Sequence, residues 1–351
     1  MPHAELPRTD EHSSFFGFAQ RLMLCVLVAG LLLLAWQLSD LLLLLFGAVI
    51  VAVALRTLAA PLEKRFGWHR RMAVGVAVIT TLLIIVIGSL LMGDRLVSQI
   101  ANLREKLPGA FDAITTWINS RPFGINLIRL WENVLSNGVP WNRLASAATG
   151  TLGAISSAGL MVVIGVYLAV DPALYRNGLV RLVPIGYRAK FQDALLASGH
   201  GLSRWLLGQG ISMVFVGSST ALGLFLLGMP LALSIGVIAG VLAFIPFFGP
   251  IASGVLAVLL AFMEGPALAL YVAALCLLIQ QIEGNFLMPS VQKWAVELPP
   301  VLGITAAVIF GLLFGLAGII FATPLMVVAM VLVEKLYVED VLENRQGAAA
   351  T

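Results

Sequence analysis

Residues 280–285 read QQIEGN, placing a carboxylate, two glutamines and an asparagine between two long apolar runs. On a helix, Gln280 and Glu283 lie three apart on one face, while Gln281 and Asn285 lie four apart on nearly the opposite face. Neither face suits lipid, so the segment is expected to be enclosed by protein or to stand at a helix end. A carboxyl near membrane depth is costly and usually faces a cavity or a partner. Glu283 is therefore the candidate proton-responsive group. The competing reading is a helix stop at Gly284-Asn285, with glycine taking the left-handed conformation and Pro289 opposing continuation.

A second set of candidates comes from broken apolar runs. Run 231–247 ends in IPFFGP, where Pro246, Gly249 and Pro250 cannot all continue an α-helix. A half-helix starting at Pro250 would suit proline's preference for the first helical position. Its unpaired N–H groups would then point at an anionic or hydroxylated ligand; the plainer reading is a packing kink. Run 301–333 is interrupted by Gly311, Gly315 and Gly318, then by Ala-Thr-Pro at 322–324. Each broken run reads equally as one kinked crossing or as a re-entrant hairpin. Non-helical backbone at membrane depth survives only under protein cover or beside a wet cavity. Two interrupted segments flanking an intact one point to a transport site between them.

Other chemistry is excluded. His3, His12, His69 and His200 are scattered and lack metal-ligand spacing. A serine protease would need a histidine at membrane depth, and no lysine follows a glycine, which removes a Walker A loop. Cys25 and Cys276 each lie in an apolar run and read as buried hydrophobes. No catalytic residue, metal or cofactor is expected, and the chain is not read as an enzyme. Glu264 reads as a turn residue with Gly265 and Pro266, and Asp171 before Pro172 as a helix end. Glu297 before Pro299-Pro300 is a lesser candidate.

The elements that must hold these residues follow from composition. Of 351 residues, 60% are hydrophobic and 11% charged, against roughly a quarter charged in a soluble chain. The excess apolar surface must face lipid. The net charge of +3 is spread through loops, which argues for topology rather than nucleic-acid binding. The predicted fold is an all-α integral membrane protein with about eight spanning or re-entrant elements. By length, the candidate spans are 17–38, 41–60, 72–93, 151–170 and 205–228, the short runs 231–247 and 250–263, then 266–287 and 301–333.

Basic residues in connections 56–71 and 171–204 place both inside the cell and the N-terminus with them. The domain plan is a cytoplasmic tail 1–16, three N-terminal helices within 17–93, and an extracytoplasmic amphipathic segment 94–150 carrying Trp117, Trp131 and Trp141. A span 151–170 and a cytoplasmic amphipathic segment 171–204 follow. A block 205–335 with interrupted helices and a cytoplasmic tail 336–351 complete it. Segment 171–204 is expected to lie against anionic lipid, with His200 at the surface.

These residues together resemble the autoinducer-2 exporter (AI-2E) family of bacterial membrane proteins. The likeness rests on IPFFGPIASG at 245–254, IQQIEGNFLMPSV at 279–291 with ELPP at 297–300, FGLLFGLAGIIFATPL at 310–325 and YLAVDP at 167–172. It implies an inner-membrane exporter of a small polar solute, such as an autoinducer-2-like signal, driven by H+ or Na+. It also implies a homo-oligomer, with five subunits among the compatible stoichiometries. By analogy Gln280, Gln281, Glu283, Asn285, Pro289, Pro246, Gly249, Pro250, Gly315, Gly318 and Pro324 form the solute or ion pathway. Lys293-Trp294 stand where the family commonly has a glycine before its L-x-P element, making that corner bulkier and more basic. An oligomeric channel, a Na+/H+ antiporter and a non-transporting scaffold are the alternative readings.

Overall fold

The computed structural model describes residues 36–88, 151–289 and 299–343, with isolated positions between 22 and 34 and at 90 and 109. Expectations for 1–16, for most of 17–38 with Cys25, for 94–150 and its three tryptophans, for Lys293, Trp294 and Glu297, and for the last eight residues lie outside them. Every regular element among the described residues is helical: α1 (Ser39–Phe66), α2 (Arg70–Gly88), α3 (Thr151–Val170), α4 (Pro172–Arg181), α5 (Arg188–Leu226), α6 (Ala232–Leu242), α7 (Phe248–Glu264), α8 (Pro266–Ile282) and α9 (Pro300–Val333). A 3-10 turn at Ile185–Tyr187 precedes α5, and π-helical turns at Glu283–Leu287 and Glu334–Glu343 prolong α8 and α9. Five helices among the described residues are long and apolar enough to cross a bilayer, or six if the bent pair α3–α4 counts as one span; α6 and α7 are shorter. This is an all-α membrane protein.

Lipid tails give helices no hydrophobic reason to associate, so small residues that permit close backbone approach set the packing. Ala52, Leu55 and Ala59 of α1 share a buried cluster with Ala73, Val74 and Ala77 of α2 and Ala169 of α3. The tightest crossing joins α5 to α6. There Gly217 and Ala221 face Gly236 and Gly240, and a Cβ on Gly240 would stand 2.8 Å from the Met213 carbonyl oxygen.

The expected boundary near residue 204 between an amphipathic segment and a span is absent. The helix α5 runs unbroken for 39 residues, about 58 Å at 1.5 Å per residue. Gly199 and Gly201 only lower its propensity, and nothing there blocks the ladder. Asp171 caps α4, its carboxylate accepting from the Leu174 N–H at 3.4 Å, with Pro172 at the first helical position. Gly265, at φ 141°, makes the turn between Glu264 and Pro266. His200 is exposed.

Both broken runs are folded-back hairpins. In the first, the helix stops at Leu242 and restarts at Phe248, with Phe247 at φ 66° in the tip. A Cβ on Gly249 would overlap the Leu242 carbonyl, so only glycine closes this turn. Ala232 and Ile235 near the start of α6 share one core with Ala257, Leu260 and Ala261 late in α7. In the second, Gly315 at φ 62°, ψ −142° interrupts α9. Gly318 then lies against the Phe310 carbonyl, where a Cβ would overlap it, and a Cβ on Gly311 would meet Ile319 Cγ1 at 2.8 Å. Ala306, Ala307 and Ala322 pack together, although a straight helix would hold 307 and 322 about 22 Å apart. Pro324 stays inside the second limb, so Gly315 alone makes this break.

Candidate functional site

Glu283 is buried, at 7% exposure. It begins the π-helical turn Glu283–Leu287, which continues helically through Met288 and Pro289. The competing reading, a helix stop at Gly284-Asn285, is therefore not what forms, and Gly284 is not among the left-handed glycines. The turn instead widens by one residue, a feature that recurs at functional positions because it re-aims side chains.

The partner of Glu283 comes from α5. Ser212 Oγ, fully buried, donates a hydrogen bond to Glu283 Oε1. One turn earlier Gln209 is also buried, and its Nε2 donates to the Ala243 carbonyl at 2.5 Å. Ala243 is the C-terminal cap of α6, a place where helix geometry leaves carbonyls without intrahelical donors. Beneath this polar layer, Val216, Ala239, Ala243 and Ile279 form an apolar one. One face of α5 thus holds both the tip of the first hairpin and the carboxyl of α8. Edge-to-face packing of Phe244 on Trp205, with ring centroids 5.8 Å apart, completes the seat of the tip.

The remaining residues of the QQIEGN corner divide by face, as the helical spacing requires. Gln280 is half-buried beside Glu283, whereas Gln281 and Asn285 are exposed. Those two meet each other, Asn285 Nδ2 donating to Gln281 Oε1 at 3.1 Å. Protein therefore encloses one polar face of this chain and not the other. Pro289 is exposed at the end of the turn.

The first hairpin differs from the expected anion cradle. Its second limb starts at Phe248, not Pro250. The Phe248 N–H donates to the Pro246 carbonyl at 2.8 Å and the Gly249 N–H to the Ile245 carbonyl at 2.9 Å. Pro250 has no N–H to offer. Both of these amides are taken up within the turn itself. Pro246, Gly249 and Pro250 shape the tip that Gln209 holds.

Gly315, Gly318 and Pro324 belong to the second hairpin, which packs chiefly on α1 and α5. Val327 shares a cluster with Leu202 and Trp205, and a Cβ on Gly303 would stand 3.5 Å from the Phe247 ring. The two hairpins therefore meet around Trp205, where Phe244 and Val327 join one cluster, and at the Phe247–Gly303 approach. The three glycine and proline positions of the second are not gathered around Glu283.

Ser212 and Gln209 are the site residues that sequence reasoning missed. Their signal was present: two polar side chains, three apart, inside the apolar run 205–228, continued on one face by Val216 and Thr220. Among the described residues no group of three His, Cys, Asp or Glu could hold a metal ion. An open, almost wholly apolar groove of about 770 Å³ runs along α1 and α5, with Leu58, Leu207, Ile211 and Val214 in its wall and Gln209 and Leu287 at its edge. Leu287 ends the turn that Glu283 begins. The arrangement offers one buried carboxyl with neutral hydrogen-bonding neighbours.

Comparison with known proteins agrees with this architecture. The model of a family described as AI-2E family transporter matches residues 24–337. The transport protein sll0060 of Synechocystis sp., whose name is provisional, is 28% identical over 266 residues, covering 72% of this chain and 76% of that protein. A provisionally named transport protein of Bacillus subtilis, YueF, is 24% identical over 251 residues, covering 66% and 68%. The provisionally named permease PerM of Escherichia coli is 26% identical over 335 residues, covering 86% and 89%.

Proposed function

The chain belongs to the AI-2E family of transporters, and from that premise we propose that it exports a small polar solute, coupled to a proton or sodium gradient, with Glu283 as the ion-responsive group. The relatives named as transport proteins and permeases support membrane transport as the general activity. An autoinducer-2-like polyhydroxylated signal is the solute class in keeping with the family. The reading places the protein in the bacterial inner membrane with both termini inside.

The buried Ser212–Glu283 bond carries the proposal. Ser203 shares a hydrogen bond with Thr57, next to the Arg56–Glu63 ion pair. Ser212 lies about 13 Å further along α5, inside the apolar part of that helix. Carrier sites are built beside helices broken into hairpins. Moving the hairpins against α5 would expose Glu283 first to one side and then to the other.

The exposed Gln281–Asn285 pair supports an assembly of several copies. It stands on the outer face of α8 among Leu277, Leu278 and Phe286, all exposed. A polar pair facing acyl chains is costly, and a second copy covering it relieves that cost.

Uptake of autoinducer-2 into inside-out membrane vesicles tests the reading. Saturable uptake that rises with an imposed proton or sodium gradient is the expected result. A conductance that is ohmic and indifferent to either gradient would contradict it and favour a channel.

A further inference from the structure

The connection between α3 and α5 carries a surface that the transport reading leaves unused. The helix α3 ends at Val170, and α4 leaves it at 87°. A spanning helix stands within about 20° of the membrane normal on average, so α4 lies close to the plane of the membrane. Asp171 and Pro172 fix the turn, one as cap and the other at the first helical position. At the far end, Arg188 locks the exit, with Nε donating to the Val183 carbonyl at 3.0 Å and a terminal guanidinium nitrogen donating to the Arg181 carbonyl at 3.1 Å.

Seen down the axis of α4, Ala173 and Val180 face the protein, Val180 being buried, and Arg176 is half-buried at the edge of that face. Leu174, Tyr175, Leu179 and Leu182 occupy an arc on the side away from it, all exposed, and Ile185 extends the arc through the 3-10 turn. Leu182 and Ile185 are 81% and 80% exposed, more than solvent contact alone would favour for adjacent bulky aliphatics. On α3, Tyr167 and Val163 are likewise exposed, one and two turns before the bend.

Beside this arc the charge is positive. Arg176, Arg181, Arg188 and Lys190 fall within 171–190 against Asp171 alone. Arg188 is committed to the exit turn. Arg176 Nε is shielded from solvent yet has no hydrogen-bond partner, and the Arg181 side chain points outward.

We propose that α4 and the following 3-10 turn form an interfacial element that binds the surface of an anionic phospholipid bilayer. The aliphatic arc sits beneath the headgroups, and Arg176 and Arg181 contact headgroup phosphates. An in-plane helix with one apolar face and flanking arginines has this preference for physical reasons: apolar burial gives depth, and charge gives selectivity for anionic lipid. The element ties the end of α3 and the start of α5 to a fixed depth, and α5 is the helix that carries Ser212 and Gln209. The inference stands on the α3–α4 geometry and does not depend on what is transported.

The test uses the full chain with Cys25 and Cys276 replaced by serine, Leu182→Cys labelled with bimane, and nanodiscs holding one copy each. Discs of phosphatidylcholine alone are compared with discs containing 30% phosphatidylglycerol, a probe composition of about one anionic lipid in three. Expected are blue-shifted emission, quenching by lipids brominated high on the acyl chain, and protection from iodide. Lipid quenching should be at least twofold stronger with phosphatidylglycerol, and Arg176→Gln with Arg181→Gln should remove that difference. Iodide access equal to that of a water-exposed control would overturn the proposal. So would protection that appears only when discs hold several copies, since a second chain would then be the occupant. Equal lipid quenching in both compositions would overturn the anionic contact.

Discussion

Ser212 and Glu283, 71 residues apart in sequence, are joined by a buried hydrogen bond in which the serine hydroxyl donates to the carboxylate. The bond links α5 to the π-helical turn at the end of α8. Three residues earlier on α5, Gln209 holds the C-terminal carbonyl of α6. A single helix therefore fixes the distance between the tip of a broken helix and the Glu283 carboxyl buried beside it. That coupling suits a carrier in which protonation and hairpin movement accompany each other.

Replacing Ser212 with alanine leaves a buried carboxylate oxygen without its donor, at a cost of about 1–3 kcal/mol. Ser212→Ala should lower the thermal midpoint in detergent and weaken transport, while Ser212→Thr retains the hydroxyl and most of both. Equal behaviour of the two variants would show that the hydroxyl is unimportant.

Gln209→Leu keeps bulk and removes the donor to Ala243. The tip 243–247 should then exchange amide hydrogen faster, with the rest of α5 unchanged. Hydrogen exchange followed by mass spectrometry resolves this, and unaltered protection at the tip would count against Gln209 as its holder.

The hairpins rest on glycines that the backbone crowds. In Gly249→Ala and Gly318→Ala the added Cβ meets a backbone carbonyl that cannot move aside as a side chain would. Overpacking of this kind costs about 1–3 kcal/mol or more, so both variants should express poorly or unfold early. Gly284→Ala is the control. It lies in a helical turn with open space around it, and alanine there should be neutral or stabilising by up to ~1 kcal/mol. Severe destabilisation by Gly284→Ala would mean that the turn has another conformation.

If copies of the chain cover the Gln281–Asn285 face, cysteine introduced at 281 in a cysteine-free background should cross-link between subunits in membranes. Cysteine at the lipid-exposed Val214 should not. Monomer at both positions under oxidising conditions would argue that lipid alone meets this face.

Much of this was legible in the chain. The apolar run lengths foretold α1, α3, α8 and the two broken runs, because a span must satisfy its own backbone and so writes about twenty apolar residues in a row. Spacing foretold that Gln280 and Glu283 share a face opposite Gln281 and Asn285. What it could not decide was kink against hairpin, since both need the same glycines and prolines; Gly315 and the Gly318–Phe310 contact decide it. Local propensity at Gly284 favours a stop, which left that reading beside the enclosed one; packing of Glu283 on Ser212 rewards continuation. Ser212 and Gln209 were passed over as span residues because a hydroxyl or a carboxamide in an apolar run has no meaning until its partner across 34 or 71 residues is known.

The most direct test of the account is proton flux in proteoliposomes loaded with pyranine, comparing the native chain with Glu283→Gln, which keeps shape and removes titration. The native protein should show flux that depends on the imposed gradient and on added solute, and Glu283→Gln should show none while eluting and melting as the native protein does. Undiminished, equally gradient-dependent flux in Glu283→Gln would contradict the account.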